Sequence, residues 1–201
     1  MEKNLFIVIE GLDATGKSTL VSNLAAALNA KLLSCPPCIE ASELLDGDLR
    51  KHFDKRPPSV RRAYYRATNL IASELAVSTL TEQHVVMDRY WTSTVAFSAM
   101  DDGNEMSQWL GKYPLAIRPP DVLILLTVDE NNRNKRMIGR GEPTTDEEYN
   151  LAADTMRRES VIAAYYSFTP IEIDTSNLNP EEVLQAALRV VENHITSYCN
   201  I

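Results

Sequence analysis

An α/β fold, a parallel sheet of about five strands with helices on both faces, is predicted by three observations. Apolar runs of strand length alternate with longer segments at helical spacing along the whole chain. The first run, Leu5-Phe6-Ile7-Val8-Ile9, is continuous, as a strand buried on both faces must be. Directly after it stands Gly11-Leu12-Asp13-Ala14-Thr15-Gly16-Lys17-Ser18, which fits the pattern G-x-x-x-x-G-K-[ST] at every fixed position.

That loop sets the fold as the P-loop NTPase type, and its residues follow from what phosphate binding demands. Backbone N–H groups must approach phosphate oxygens closely, so glycine stands where the chain turns tightly. The following helix, marked by Leu20, Val21, Leu24, Ala25 and Leu28, adds the partial positive charge of its N-terminus. Lys17 supplies a full charge to the terminal phosphates, and Ser18 offers a hydroxyl to Mg²⁺. The nucleotide-binding segment therefore comprises Gly11, Leu12, Asp13, Ala14, Thr15, Gly16, Lys17, Ser18 and Thr19, with ATP as the expected ligand.

The remaining elements follow in order. Residues 31–34 read as a second strand, and a helix is predicted over about 40–53, with Ser42 or Asp46 near its start. Pro57-Pro58 punctuates the chain, and Ser59 is the expected N-cap of a long helix from 60 to about 82. His84-Val85-Val86-Met87 is a buried strand that ends in Asp88-Arg89-Tyr90, and 92–100 reads as helix. The polar stretch 101–114 carries no periodic signal, and Pro119-Pro120 ends it. Val122-Leu123-Ile124-Leu125-Leu126 is the strongest strand. A helix over about 130–138 precedes Gly139-Arg140-Gly141-Glu142-Pro143, and another covers about 145–166. Ile171-Glu172-Ile173-Asp174 is the last strand, and Pro180 opens a final helix to about 196, since proline suits a first helical turn. No internal repeat divides the chain, so residues 1–201 are expected to form one domain.

Composition narrows the function. The chain has 201 residues, 44% of them hydrophobic, and its apolar runs are too short to span a membrane. A net charge of −8 argues against a long nucleic acid as partner. The positive charge is instead gathered at Arg61, Arg62 and Arg66, at Arg89, and at Arg133, Arg136 and Arg140, which suits a small, multiply charged anion. Three cysteines, an odd and low count, fit a reducing compartment. Cys35-Pro36-Pro37-Cys38 has redox or zinc spacing, but no second pair completes a metal site, and it follows a strand rather than opening a helix. It is read as a structural loop. His52, His84 and His194 are isolated and read as packing or surface residues. The start MEKN enters a strand almost at once, leaving no room for a leader, so a cytoplasmic enzyme is expected. A chain cut from a longer vertebrate-type protein would instead be mitochondrial.

Two strand ends carry carboxylates that could complete a nucleotide site: Asp88, followed by Arg89, and Asp129-Glu130. Asp129 is expected to cap the helix beginning at Glu130. The alternative is a hydrolytic ATPase in which Glu130 activates water. A nucleotide switch is a further alternative, but Asn134-Lys135-Arg136-Met137 lacks the aspartate that would read guanine.

Phe6-Ile7-Val8-Ile9-Glu10-Gly11-Leu12-Asp13, Asp88-Arg89-Tyr90 and the Arg136…Arg140-Gly141 segment together resemble the thymidylate kinase family, in order and spacing, over nearly the whole chain. Within the family, Gly11-Leu12-Asp13-Ala14-Thr15-Gly16-Lys17, Arg61-Arg62-Ala63-Tyr64-Tyr65, Asp88-Arg89-Tyr90-Trp91 and Leu125-Leu126-Thr127-Val128 resemble its UMP-CMP kinase branch. The resemblance implies phosphorylation of a nucleoside monophosphate by ATP, and a homodimer. It implies that Lys17 and the loop amides hold the β- and γ-phosphates, that Ser18 meets Mg²⁺, and that Asp88 works through Mg²⁺-bound water or by holding Arg89. Asp13 would orient the acceptor and Arg89, and Arg89 would bridge the two phosphates. Tyr64 would stack on the acceptor base, and Arg136 and Arg140 would belong to a lid over ATP. Arg61, Arg62, Thr68 and Tyr90 are the further candidate acceptor contacts. Three departures refine this. Ala14 stands where animal thymidylate kinases carry a loop arginine, so catalytic arginine must come from Arg136 and Arg140. Thr68 stands where a base-reading arginine is typical, and Cys38 where an arginine follows the second strand's proline. Both favour CMP, UMP or their deoxy forms over dTMP, with Arg61 or Arg62 replacing the lost phosphate contact.

Overall fold

The computed structural model describes residues 3–37, 47–101, 105–140, 151 and 153–199. Its centre is β1, Phe6–Gly11, in which every residue is buried. A strand covered on both sides must send alternate side chains to two different cores. Ile7 and Ile9 pack with Leu20 and Leu24 of α1 (Lys17–Ala27) and with Ala187 and Val191 of α7 (Pro180–Cys199). Phe6 and Val8 pack with Ala72 and Ala76 of α3 (Pro58–Thr79) and with Trp91 and Val95 of α4 (Trp91–Ser98).

Four further strands pair parallel around β1: β2 (Lys31–Ser34), β3 (Val85–Asp88), β4 (Val122–Thr127) and β5 (Ile171–Asp174), in the order β2-β3-β1-β4-β5. The chain builds one side of β1 first and then the other, so a crevice opens at the carboxyl ends of the central strands. The loop Leu12–Gly16, Asp88-Arg89 and Asp129 all lie at those ends. His84 has a structural task, since its Nδ1 accepts from the Leu5 N–H at 2.9 Å and ties β3 to the start of β1.

Several boundaries differ from expectation, each for a local reason. α3 begins at Pro58 with Pro57 as its N-cap, so Ser59 lies inside the first turn and caps nothing. Proline fits there because the first-turn N–H groups need no intrahelical acceptor. α2 is Asp48–Asp54, the end of the helix predicted over 40–53; Ser42 and Asp46 lie outside the described residues. α5 runs Glu130–Arg140, two residues past the predicted end, and Asp129 caps it by accepting from the Asn132 N–H at 2.9 Å. The helix predicted over 145–166 is not continuous. Asp154 is extended and accepts from the Arg157 N–H at 3.1 Å, capping a separate α6, Thr155–Tyr166. Glu142-Pro143, Gly141 and 145–150 lie outside the described residues. Within 101–114, the regular structure among the described residues is one 3₁₀ turn, Ser107–Trp109.

Candidate active site

The loop after β1 is shaped by its two fixed glycines. Gly11 has φ 151°, and a Cβ on it would lie 2.7 Å from the Leu126 carbonyl oxygen and 2.9 Å from Thr15 Oγ1. Gly16, at φ 90°, turns the chain into α1, a conformation that costs glycine little. The first-turn amides of α1 are thereby presented at the mouth of a cavity of about 830 Å³. Lys17, Ser18, Thr19, Asp88, Arg89 and Arg136 also line it. Lys17 Nζ donates to Asp88 Oδ1 at 2.7 Å. Burial, and then the charge of Arg89, lower the pKa of Lys17 against the pull of Asp88 and Asp13.

A second, smaller cavity adjoins the first. Asp13, Cys35, Arg50 and Arg89 belong to both walls, so the two spaces meet at these four side chains. Arg89 is the most constrained of them. It follows β3 with φ 62°, a left-handed conformation that a non-glycine residue holds only when its surroundings enforce it. Its Nη2 donates to Asp13 Oδ1 at 3.2 Å, and its Nη1 to Ser93 Oγ at 3.3 Å and the Tyr165 hydroxyl at 3.4 Å. The guanidinium also lies 5.2 Å from the Phe97 ring centroid. Burial opposes its charge, yet Tyr165, Asp13, Glu10 and Asp88 outweigh that and raise its pKa further.

Glu10 enforces this geometry, and sequence reasoning gave it no role. It is fully buried at the end of β1. Its Oε1 accepts from the N–H groups of Tyr90 (3.0 Å) and Ser93 (3.1 Å), and its Oε2 from Ser93 Oγ (2.5 Å). It thus caps α4 from another element and fixes the hydroxyl that Arg89 contacts. Burial pushes its carboxyl up from 4.5 to about 7, against the hydrogen bond from Ser93 and the charge of Arg89. The available signal was one acidic residue closing an otherwise apolar strand.

The other candidates separate into three groups. Arg136 lines the larger cavity but is held fast: Nη1 donates to the Ala14 carbonyl (3.2 Å) and Thr175 Oγ1 (3.0 Å), and Nη2 to the Thr175 carbonyl (2.7 Å). Arg136, expected to belong to a lid over ATP, joins α5 to the loop and to the turn after β5. The Arg140 side chain and Cys38 lie outside the described residues. Arg61 and Arg62, expected to replace a phosphate contact, are both engaged by Asp101, at 3.1 Å and 2.6 Å. Arg62 still lines the second cavity, whereas Arg61 is absent from both walls. Tyr64 is buried with its ring stacked on Phe53 (centroids 4.9 Å apart, planes 7° off parallel), and Tyr65 is the neighbour that lines the second cavity. Thr68 is buried behind the cavity wall, its Oγ1 donating to the Tyr65 carbonyl at 3.0 Å and lying 3.9 Å from Cys35 Sγ, while Tyr90 lines the second cavity. Cys35, in the segment read as a structural loop, borders both cavities. Glu130 is unsuited to activating water. Its Oε1 accepts from Arg133 at 2.9 Å and Arg158 at 3.0 Å, and Arg133 lowers its pKa first among the causes.

Comparison with known proteins gives a consistent result. The family model described as thymidylate kinase matches residues 9–187. The chain is 36% identical over 197 residues to the human protein named UMP-CMP kinase 2, mitochondrial; the match covers 93% of this chain but 42% of that protein's length. It is 27% identical over 200 residues to a thymidylate kinase of Idiomarina loihiensis, covering 94% of this chain and 98% of that one. Among solved structures, thymidylate kinase from Candida albicans superposes with a TM-score of 0.71 at 20% identity, over 95% of this chain and 92% of that one. Deoxyadenosine kinase from M. mycoides superposes at 0.61 with 16% identity, over 94% and 100%, so these two share the fold.

Proposed function

The chain belongs to the thymidylate kinase family, and on that premise we propose that it transfers the γ-phosphoryl group of ATP to a pyrimidine nucleoside monophosphate. The observation that carries this reading is the pair of cavities meeting at Asp13 and Arg89, one of them built on the phosphate loop. The loop amides and Lys17 hold the β- and γ-phosphates of ATP, and Asp88, 2.7 Å from Lys17 Nζ, orients the lysine at the mouth of the cavity. Ser18 Oγ and the Asp88 carboxylate are hard oxygen donors of the kind Mg²⁺ takes alongside phosphates and water, and they would hold it. When bound, Mg²⁺ neutralises charge on the phosphates. The acceptor oxygen is already anionic and needs no strong base. Catalysis rests on alignment and on fixed cations, with Arg89 in contact with both phosphates.

On the acceptor side, Tyr65 replaces Tyr64 as the aromatic facing the base; its hydroxyl donates to Asp54 Oδ1 at 2.7 Å. The lack of a base-reading arginine at Thr68 favours CMP, UMP or their deoxy forms. The second reading, dTMP as acceptor, is supported by the relatives named thymidylate kinase. A coupled assay of ADP release with dTMP, dUMP, CMP, dCMP and UMP separates the two. We expect release that depends on the acceptor and is fastest with a cytosine or uracil nucleotide. A clear preference for dTMP would move the substrate assignment, and ADP release without any acceptor would reject the kinase reading.

We further propose that the chain works as one domain, in the cytoplasm, and as a homodimer through α3. Val60, Ala63, Ala67, Leu70 and Val77 are exposed on that helix, and all but Glu74 of this heptad-spaced row are apolar. Leu70→Glu is expected to convert a dimer to a monomer by light scattering, with the melting temperature of the monomeric fold retained. A wild-type chain of monomer mass at micromolar concentration would reject the seam.

A further inference from the structure

A guanidinium offers only N–H donors, so every group that aims it must turn an acceptor toward it. Arg89 meets the Asp13 carboxylate at Nη2 and two hydroxyl oxygens, of Ser93 and Tyr165, at Nη1. A hydroxyl can present either its proton or a lone pair to a neighbour. Here the choice is made from the far side of the cluster. Ser93 Oγ gives its one proton to Glu10 Oε2 at 2.5 Å. It can then only accept from the Tyr165 hydroxyl, 2.8 Å away, whose proton is used in turn. Both hydroxyl oxygens are left with lone pairs toward Arg89. The chain of donation runs from Arg89 to Tyr165, from Tyr165 to Ser93, and from Ser93 to Glu10. The other carboxylate oxygen, Oε1, is filled by the N–H groups of Tyr90 and Ser93.

The count fails if position 10 donates at the place of Oε2. Ser93 would then pass its proton to Tyr165, and the Tyr165 proton would find no acceptor among the described residues and would face Nη1. Glu10, Ser93 and Tyr165 are all buried, where a misdirected proton is costly. We propose that Glu10 is a positioning residue for phosphoryl transfer: with Ser93 and Tyr165 it forms a hydrogen-bond chain whose direction aims the Arg89 guanidinium at the junction of the two cavities. The proposal rests on reading Arg89 as the group that meets both phosphates. The charge of Glu10 also reaches Lys17, but no hydrogen bond joins the two among the described residues.

The test uses the whole chain near neutral pH, with ATP and UMP or CMP. It compares wild type, Glu10→Gln and Tyr165→Phe, each with and without Arg89→Ala. Glutamine keeps an oxygen for the two N–H groups but turns an amide N–H toward Ser93 Oγ, which reverses the chain. Phenylalanine fills the Tyr165 space without the hydroxyl. Each single variant is expected to lower kcat by about tenfold, with both KM values changed by less than about twofold. Glu10→Gln is expected to unfold at no lower urea concentration than wild type, so turnover and stability part company. In the Arg89→Ala background neither substitution is expected to lower the residual kcat further, because the group they aim is gone. Unchanged kcat in either single variant overturns the proposal. So does the same fractional loss with and without Arg89, which would make the chain a prop for the fold, and so does a raised ATP KM, which would assign Glu10 to Lys17. Wild type without monophosphate-dependent ADP release would defeat the kinase reading instead. The aim of Arg89 is then read by NMR: its side-chain Nε–H resonance is expected to be sharp in wild type and broadened in both variants, and equal line widths in all three would overturn the proposal.

Discussion

Arg89→Ala is expected to lower turnover by about 1,000-fold while changing ATP affinity by no more than about threefold, because on the proposed reading its guanidinium acts where charge moves between the phosphates. The geometry explains the asymmetry. On the proposed reading ATP is held mainly by the loop amides and Lys17, and the Arg89 guanidinium meets that loop at the Asp13 carboxylate, 3.2 Å away. Arg89 instead sits in the wall common to both cavities, its direction fixed by Asp13, Ser93 and Tyr165. Alanine would keep the strained backbone and remove the charge. Steady-state kinetics combined with ATP titration reads both quantities. Equal losses in turnover and ATP affinity would reject a bridging role and make Arg89 part of the donor cradle.

Glu10→Gln is expected to flatten the dependence of stability on pH between 4.5 and about 7. The folded chain binds the Glu10 proton more tightly than the unfolded chain, since burial raises its pKa from 4.5 to about 7. Stability from this group is therefore greatest below pH 4.5, falls as pH rises through the window, and is level above 7. The shift corresponds to a loss of about 3 kcal/mol, an upper order of magnitude for one buried carboxyl. Glutamine keeps an oxygen for the Tyr90 and Ser93 N–H groups but cannot ionise. Urea unfolding of both chains at pH 4.5 and 7.5 measures the effect. Parallel slopes in the two chains would show that Glu10 does not titrate in this window.

What could be read ahead of the structure followed from local rules. Continuous apolar runs gave the three central strands, because a strand covered on both faces has no solvent face to mark, whereas the edge strands β2 (Lys-Leu-Leu-Ser) and β5 (Ile-Glu-Ile-Asp) carry shorter apolar signals and are largely exposed or half-buried. The glycine spacing gave the loop, since its shape depends on backbone freedom at two positions. Pairings across the fold were not readable. Asp101 lies 39 residues from Arg62, and nothing local tells that their charges meet. Tyr64 and Tyr65 are adjacent and alike, so only the packing of Phe53 distinguishes the ring that is covered from the ring that lines the cavity. Arg50 lies in a short, highly charged helix whose face is set by tertiary contact rather than by an apolar stripe. Glu10 was visible as an acid in an apolar strand, but its three donors come from Tyr90 and from Ser93 in the first turn of α4, some 80 residues on.

The brace made by Arg136 has a thermodynamic consequence. By joining the Ala14 carbonyl to Thr175 it makes the nucleotide cradle rigid before any ligand arrives. The entropy of arranging those segments is then lost when the chain folds, and an incoming nucleotide keeps more of its contact energy as affinity.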